Sequence, residues 1–327
     1  MVEKRAIGDS GIAVAPLALG GNVFGWTADE ATSFAVLDAF VDAGGTMIDT
    51  ADVYSAWVPG HTGGESEALI GRWLSRDPSK RDKVVIATKV GFLDGKIVDG
   101  EYVAALHPDV ISRACDASLE RLGIDCIDVY YQHRDNPEVP LADSLGAFER
   151  LREQGKIRAV GISNFTADRV DEAVETSRRL GLMPAVALQI WYNLVERERF
   201  EAELRDAALR NGLSVFPFYS IANGFLTGKY RRKEDLAKSP RGQRNVAYLE
   251  GKGMRVLEAM DEIASETGAA LATIALAWLM AQPAVTAPIA SATSVEQLNE
   301  LTAAMHLRLS LEQIARLNAA SAEAVPA

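Results

Sequence analysis

Short apolar runs alternate with stretches of helical length along the whole chain, and this alternation constrains the fold more than any other feature of the sequence. Runs rich in apolar and β-branched residues are typical of parallel strands that are buried on both faces. Parallel strands need crossover connections, and the stretches between the runs are long enough to be crossover helices. The eight runs are Pro16–Leu19, Thr46–Ile48, Val84–Thr88, Ile127–Tyr131, Ala159–Gly161, Val186–Leu188, Leu213–Phe216 and Val285–Ile289. Eight such repeats predict an α/β fold, a closed (β/α)8 barrel.

The segments between the runs carry helix start and stop signals. Thr27 with Glu30, and Ser294 with Gln297, have the spacing of capping boxes. Before the first run, Arg5–Val14 has strand character on both sides of a Gly-Asp-Ser-Gly turn, which predicts an N-terminal β-hairpin. This hairpin is a candidate for the element that closes the bottom of the barrel. The predicted helices include Glu30–Asp42, Glu65–Arg76, Asp109–Leu122, Ser144–Glu153, Arg169–Leu180 and Glu198–Arg210.

Charge and composition exclude several classes of partner. The net charge of -11 disfavours nucleic acid and anionic membranes, because both reward clustered cations. Charges occupy the N-terminal segment where a signal peptide is apolar, and the apolar stretch Gly268–Ala281 is shorter than the roughly 20 residues of a membrane span. We therefore expect a cytoplasmic protein. Cys115 and Cys126 lack metal-ligand spacing, so no metal is expected.

No linker or change of composition divides the chain, so residues 1–327 are predicted to form a single domain. The one long irregular segment is Ser220–Lys252, which contains eight basic residues in an acidic protein. A connection of this length inside a compact domain is usually functional. Two interpretations stay open: a solvated surface loop, or a lid that contacts phosphate groups.

Polar residues follow the apolar runs at the ends where a (β/α)8 barrel places its active site. The polar residues that follow the second to the sixth run are, in order, Asp49, Lys89, His133, Ser163 with Asn164, and Gln189. Each one alone is more simply explained as a strand-end residue that satisfies backbone groups. Their succession at one end of the barrel predicts a common site.

Tyr54, in the loop after Asp49, is the candidate acid–base group. Asp49 and Lys89 lie on neighbouring strands, and a buried ammonium needs a carboxylate partner. A nearby ammonium favours the phenolate, so we expect Lys89 to lower the pKa of Tyr54 towards neutrality. His133 is placed to donate a hydrogen bond to the same substrate oxygen.

Longer segments resemble the aldo-keto reductases over nearly the whole chain. The matching segments are MIDTADVYSAW, GGESEALIGRWL, VVIATKVG, DVYYQHRDN, AVGISNF, LQIWYNLVERE, FPFYSIANGFLTGKY and SATSVEQLNEL. The resemblance implies a TIM barrel with a long cofactor-side loop and a catalytic tetrad of Asp49, Tyr54, Lys89 and His133. It also implies NADP-dependent reduction of an aldehyde or ketone, or the reverse reaction, with hydride from the nicotinamide and a proton from Tyr54.

The resemblance assigns cofactor contacts as well. Around the nicotinamide it implies a hydrogen-bonding set and a stacking ring: Ser163, Asn164, Gln189 and Tyr219. Around the phosphates and the adenosine it implies Ser220, Ile221, Gly224, Leu226, Ser291, Thr293, Gln297 and Glu300. Many relatives have a basic residue at the position of Thr293, whereas this sequence has none between Pro283 and His306. The candidate contacts for a 2′-phosphate are then the hydroxyl and N–H groups of Ser291, Thr293 and Ser294, or an arginine of the long loop such as Arg241 or Arg244. NADP(H) is expected, with NAD(H) possible.

Two other functions remain open. Lys89 alone permits Schiff-base aldolase chemistry, although a neighbouring Asp49 would keep the amine protonated. Some members of the resembled family serve as redox-sensing or channel-associated subunits with little turnover, which the intact tetrad disfavours.

The substrate, a small carbonyl or alcohol, is predicted to be bulky or ring-bearing because aromatic residues dominate the expected pocket. The expected pocket residues are Phe24, Trp26, Trp57, Phe92, Arg134 and Trp191.

Overall fold

Eight parallel strands form a nearly closed barrel, which confirms the fold predicted from the alternating runs. The computed structural model describes residues 2–98, 101–239 and 241–322. The barrel closes where Val215 bridges Val285, next to the last strand. In chain order the strands are β1 (Arg5–Ala6), β2 (Ala13–Val14), β3 (Ala18–Gly20), β4 (Met47–Asp49), β5 (Val85–Val90), β6 (Lys96–Val98), β7 (Glu101–Val103), β8 (Ile127–Gln132), β9 (Ile157–Ser163), β10 (Ala185–Trp191), β11 (Ser214–Phe218) and β12 (Ile289–Ala290). Their order in the barrel is β11-β10-β9-β8-β5-β4-β3-β12.

The hairpin of β1 and β2 covers the end of the barrel at which the strands begin. Ile7 and Ile12 join the apolar cluster inside the barrel. The backbone N–H of Gly8 donates to Oγ of Ser214, the first residue of β11, at 2.9 Å. The hairpin therefore closes the bottom, as predicted, and the opposite end of the barrel carries the polar strand-end residues.

Helices connect the barrel strands. They are α1 (Glu30–Asp42), α2 (Glu65–Ser75), α3 (Pro108–Leu122), α4 (Leu141–Glu153), α5 (Ala167–Leu180), α6 (Glu198–Glu201), α7 (Leu204–Arg210), α8 (Lys252–Thr267), α9 (Leu271–Met280), α10 (Val295–Ala303) and α11 (Leu311–Ser321). The helix predicted over 198–210 is in fact two helices. The break lies at Ala202 and Glu203, where Glu203 has φ -124° and ψ -31° and leaves helical geometry.

The two predicted capping boxes are only partly correct. Helix α1 is capped by Asp29, whose carboxylate accepts from the backbone N–H of Thr32 at 2.8 Å. Thr27 does not cap the helix because it lies in the preceding turn, where its N–H donates to the carbonyl of Val23 at 3.1 Å. At α10, Ser294 does cap the helix by accepting from the N–H of Gln297.

The long loop after β11 contains three short 3-10 helices, Ala222–Thr227, Lys233–Lys238 and Gly242–Tyr248. Part of its positive charge is neutralised locally. Arg231 pairs with Asp261 at 2.7 Å, and Lys238 pairs with a carboxylate of the same loop at 2.9 Å.

In the part of the chain that the structure describes, no single helix is long and apolar enough to cross a membrane. Helices α8 and α9 together have a suitable length and composition, but they meet at 98°. All residues of α9 after the first are buried, so the apolar stretch near Gly268–Ala281 is a core helix, as predicted.

Candidate active site

Three barrel strands and one loop bring the predicted tetrad together. Asp49 is the last residue of β4, Lys89 is the penultimate residue of β5, and His133 directly follows β8. These strands are neighbours in the barrel, so their carboxyl ends lie side by side. Tyr54 reaches the same point from the turn after β4, where its N–H donates to the carbonyl of Ala51.

Lys89 is the centre of this cluster. Its side chain is completely buried, and its ammonium donates to Oδ2 of Asp49 at 2.7 Å, to the carbonyl of Thr50 at 2.7 Å and to the hydroxyl of Tyr54 at 2.9 Å. An ammonium has three N–H donors, and each has one of these acceptors. Lys89 therefore presents no free lone pair to a carbonyl carbon, which argues against a Schiff base.

Burial, rather than the ammonium, dominates the proton affinity of Tyr54. Burial raises the pKa of Tyr54 well above its usual value, and the carboxylate of Asp49, 3.4 Å from the hydroxyl, raises it further. The predicted lowering by Lys89 is therefore wrong for the free protein. Asp49 neutralises the ammonium at close range, and burial also lowers the pKa of Lys89 itself. Tyr54 is consequently protonated at neutral pH.

His133 is a neutral imidazole at the edge of the cluster. Burial lowers the pKa of His133 well below its usual value, and the nearby charge of Lys89 lowers it further. Its ring lies 4.4 Å from the ring of Phe92 and 6.1 Å from that of Tyr54, measured between centroids. A neutral imidazole can donate one hydrogen bond to an oxygen without adding a charge.

The residues expected around a nicotinamide carboxamide lie beside the tetrad. Ser163 ends β9 and Gln189 lies in β10. The amide of Asn164 donates to the carbonyl of His133 at 2.9 Å and to Oγ of Ser163 at 3.1 Å. Gln189 makes a contact that the sequence did not predict, since its Nε2 donates to Oδ1 of Asp49 at 2.7 Å. Gln189 thus orients the carboxylate that holds Lys89.

Tyr219 is placed as a platform on this side of the barrel mouth. It has a left-handed backbone with φ 53°, and its carbonyl accepts from the side-chain amide of Asn193 at 3.1 Å. Its ring packs against Trp191, with the centroids 4.3 Å apart. Asn193 thus holds the backbone of Tyr219 and Trp191 holds its ring, which suits a stacking surface for a flat ligand.

The loop after Tyr219 forms a tight turn. Ala222, Asn223 and Gly224 are consecutive left-handed residues, with φ of 47°, 54° and 88°. The N–H groups of Ala222 and Gly224 donate to the carbonyls of Tyr219 and Ile221 at 2.7 and 2.9 Å, so these two groups close the turn itself. The other residues of this loop that were predicted to contact the phosphates are mostly buried. Ser220 donates its hydroxyl to a backbone carbonyl, Leu226 is buried and Ile221 is partly buried.

The predicted adenosine end lies at the start of α10. The hydroxyl of Ser291 donates to the side-chain oxygen of Asn22 at 2.5 Å, which links it to the loop after β3. Thr293 donates from both its N–H and its hydroxyl to Oε1 of Gln297 at 3.1 Å. Glu300 is exposed further along the helix. An aromatic ring at the barrel mouth, a tight left-handed turn and a helix N-terminus with hydroxyl groups together fit a dinucleotide.

The predicted pocket residues lie in separate groups, of which one borders Tyr54. On one side Trp26 and Trp57 meet edge to face at 5.6 Å, and Trp57 lies 6.2 Å from the ring of Tyr54. Arg241 lies over Trp26 at 5.9 Å, and no acidic side chain among the described residues forms an ion pair with it. The remaining predicted positions are Phe92 beside His133, Trp191 beside Tyr219, buried Phe24 and exposed Arg134.

Sequence reasoning missed three residues that support the site. Asn22 and Asn193 follow β3 and β10, so the strand-end rule that identified Asp49 could also have found them. Asp52 lies in the loop between Asp49 and Tyr54 and is almost completely buried. No pattern in the sequence distinguishes it from a solvated loop carboxylate.

A protonated tyrosine joined to a buried lysine, beside a neutral histidine, can move a proton to or from an oxygen at the mouth of the barrel. Known proteins agree with an enzyme of this class. The sequence model of the Aldo/keto reductase family matches residues 16–322. The chain therefore belongs to the Aldo/keto reductase family, and it is an oxidoreductase.

Three relatives illustrate the similarity. The uncharacterized oxidoreductase YrpG of Bacillus subtilis is 34% identical over 97% of this chain and 95% of its own length. The aldo-keto reductase yakc [NADP(+)] of Schizosaccharomyces pombe is 32% identical over 88% of this chain and 82% of its own. The L-glyceraldehyde 3-phosphate reductase of Escherichia coli O157:H7 is 29% identical over 97% and 92%, respectively.

Proposed function

We propose that the protein is an NADP(H)-dependent enzyme that reduces an aldehyde or ketone to an alcohol, or catalyses the reverse reaction, with Tyr54 as the acid–base group. The observation that carries this proposal is the hydrogen bond of 2.9 Å between the buried ammonium of Lys89 and the hydroxyl of Tyr54. A phenol is a weak acid, and a cation on its oxygen stabilises the phenolate that remains after the proton has left.

The chain's own residues would then divide the work on the substrate oxygen. Tyr54 donates its proton to the carbonyl oxygen, and Lys89 stabilises the resulting phenolate. Asp49 and Gln189 hold Lys89 in place through the contacts at 2.7 Å. His133, neutral because of burial, donates a hydrogen bond to the same oxygen and polarises the carbonyl. The nicotinamide, when bound, supplies the hydride to the carbonyl carbon.

We assign the cofactor contacts to residues beside the tetrad, in the long loop and at the start of α10. Gln189, Ser163 and Asn164 would bind the carboxamide, and Tyr219 would stack on the ring. The phosphates and adenosine would be held by Ser220, Ile221, Gly224, Leu226, Arg241, Ser291, Thr293, Gln297 and Glu300. The name of the fission-yeast relative supports NADP(H). NAD(H) is the second candidate because no cation lies near Thr293 in the sequence.

The pocket supports a bulky or ring-bearing carbonyl compound as substrate. Trp26, Trp57 and Phe92 supply flat apolar surfaces around the tetrad. Arg134 and Arg241 form no ion pair within the described ranges, so an anionic group on the substrate would also find a partner. The name of the Escherichia coli relative makes L-glyceraldehyde 3-phosphate a compound to include in any substrate panel.

The remaining assignments follow from the family and the composition. We propose a single domain over residues 1–327, a cytoplasmic location and small-molecule carbonyl or alcohol partners. The net charge of -11 supports neither nucleic acid nor an anionic membrane as a partner.

The test begins with fluorescence titrations of NADPH and NADH, followed by a panel of aldehydes, ketones and secondary alcohols. Tyr54→Phe should bind the cofactor normally and lower carbonyl reduction by roughly 10² to 10⁴, the usual contribution of a general acid. Tyr192→Phe is the matched control, since Tyr192 donates to Glu201 in the outer layer and contacts Trp278. Unchanged turnover in Tyr54→Phe would sink the proposal. Borohydride trapping of Lys89 would indicate an aldolase, and retained cofactor without turnover would indicate a sensor.

A further inference from the structure

A buried carboxyl group behind the tetrad has no role in the proposed reaction. Asp52 lies in the loop that joins Asp49 to Tyr54, and it is 2% exposed. Its backbone N–H donates to the carbonyl of Lys89 at 3.2 Å. Its carboxyl group accepts from the backbone N–H of Gly91, two residues further along β5 and its following turn. Asp52 therefore ties the Tyr54 loop to the backbone at Lys89 and Gly91.

The charges around Asp52 do not balance if every carboxyl group is ionised. Glu67 of α2 is completely buried and lies close to Asp52. Arg121 of α3 donates to Glu67 at 2.6 and 2.7 Å, and the hydroxyl of Thr88 donates to the other oxygen of Glu67. The guanidinium of Arg121 thus donates these hydrogen bonds to Glu67 and not to Asp52. Two buried carboxyl groups share one cation.

One oxygen of Asp52 has no donor within reach. Oδ1 is buried and has no hydrogen-bond partner among the described residues. A buried ionised carboxylate needs donors on both oxygens or a cation, and otherwise it keeps its proton. Several titratable and charged groups interact electrostatically with Asp52. They are Tyr54 of the same loop, Glu67 of α2, Lys89 of β5, Arg121 of α3 and Tyr130 of β8.

We propose that Asp52 is a positioning residue that acts in its protonated form. Its neutral carboxyl group ties the Tyr54 loop to strand β5 without adding a second anion beside Lys89 and Tyr54. The part of this inference that concerns turnover rests on the proposed function. The protonation of Asp52 does not.

The electrostatics of the cluster agree with this geometry. Burial first, and then the charge of Glu67, raise the pKa of Asp52 to about 8 against the opposing effects of Arg121 and two backbone N–H groups. Ionised Asp52 would raise the pKa of both Tyr54 and Lys89. The loss of the Asp52 proton above neutral pH therefore makes the Tyr54 phenolate harder to form. Alcohol oxidation, which needs that phenolate, should be affected most.

The effect on stability has a definite sign. The folded-state pKa of Asp52 lies above its unfolded value, so folding takes up a proton. The contribution to stability is fully present below the unfolded pKa of about 4 and is lost as the pH rises through about 8. Asn at this position is neutral at every pH. The melting temperature of Asp52→Asn should therefore rise relative to the wild type between pH about 5 and about 9.

The first experiment measures protonation without turnover. Infrared difference spectra of the wild type between pH about 6 and about 10 should show a protonated carboxyl band that disappears at high pH. The band should be missing in Asp52→Asn and present in Asp128→Asn. Asp128 is the matched control, because it is equally buried but paired with both Arg81 and Arg158. A band that survives in Asp52→Asn, or no band in the wild type, overturns the proposal.

Glu67→Gln provides a second variant in case Asp52→Asn does not fold. This substitution removes the neighbouring carboxylate and frees the guanidinium of Arg121. The carboxyl band should then titrate at lower pH than in the wild type. A midpoint that does not move overturns the coupling between Asp52 and Glu67.

The second experiment measures kcat/KM for alcohol oxidation against pH. The wild-type rate should rise less steeply above pH about 8, whereas Asp52→Asn should lack this flattening. The rate at pH about 9.5 divided by the rate at pH about 7 should therefore be about three- to tenfold larger in Asp52→Asn than in the wild type. Identical profiles would refute the positioning role. Failure of the wild type to oxidise any alcohol or reduce any carbonyl would instead refute the proposed function, and the infrared result would still decide whether Asp52 is protonated.

Discussion

Replacing Lys89 by methionine is expected to lower the free energy of unfolding by about 3–5 kcal/mol, the cost of removing one partner from a buried ion pair. The side chain of Lys89 is 0% exposed and that of Asp49 is 2% exposed. Without the ammonium, the donors left to Asp49 among the described residues are Gln189 at 2.7 Å and, more weakly, Tyr54 at 3.4 Å. An exposed pair of the same length would contribute only about 0–1 kcal/mol, so burial decides the magnitude.

A double variant separates charge from packing. In Asp49→Asn/Lys89→Met the buried carboxylate is gone, and the asparagine oxygen can still accept from Gln189. We expect the double variant to recover at least half of the stability that the single variant loses. Carbonyl reduction should remain impaired in both, because neither retains the cation that stabilises the Tyr54 phenolate. Stability and activity would thus respond differently to the same pair.

Urea denaturation at neutral pH measures the stability difference, and Lys156→Met is the control. Lys156 pairs with Asp116 at 2.5 Å, but both side chains are at least 30% exposed. Its replacement should cost no more than about 1 kcal/mol. A loss of that size for Lys89→Met, or a double variant as unstable as the single one, would refute the reasoning from burial.

Three further results are expected. Carbonyl reduction should show no loss of activity centred near pH 6.5, the usual pKa of histidine, because burial holds the pKa of His133 well below that value. A loss near pH 6.5 that is present in the wild type and absent in His133→Gln would contradict this expectation. Gly161→Ala should lower stability by about 1–3 kcal/mol, since an added Cβ would lie 2.2 Å from the ring of Tyr131, whereas Gly146→Ala in α4 should be neutral or stabilising by thermal denaturation. Trp57→Ala should raise KM for ring-bearing carbonyls by about tenfold while leaving the melting temperature nearly unchanged, because this side chain is 48% exposed; an unchanged KM would remove Trp57 from the pocket.

The barrel could be predicted from the sequence because its signals are local and repeated. Each apolar run overlaps or adjoins a barrel strand, although the last one, Val285–Ile289, yields a strand only at Ile289–Ala290. The positions of Asp49, Lys89 and His133 at strand ends followed from the same periodicity. The helix predicted over 198–210 was wrong because a break of one or two residues leaves no trace in the pattern of apolar residues.

The strength and sign of the interactions within the site could not be predicted in this way. The sequence alone determined that a barrel should place Asp49, Tyr54, Lys89 and His133 at one mouth, since strand period and chain order decide which residues reach that end. Only the tertiary structure decided that Tyr54 holds its proton more tightly and that Asp52 shares a single cation with Glu67. The physical reason is that a pKa depends on burial and on distances between residues far apart in the chain, and neither is encoded in the spacing of a motif.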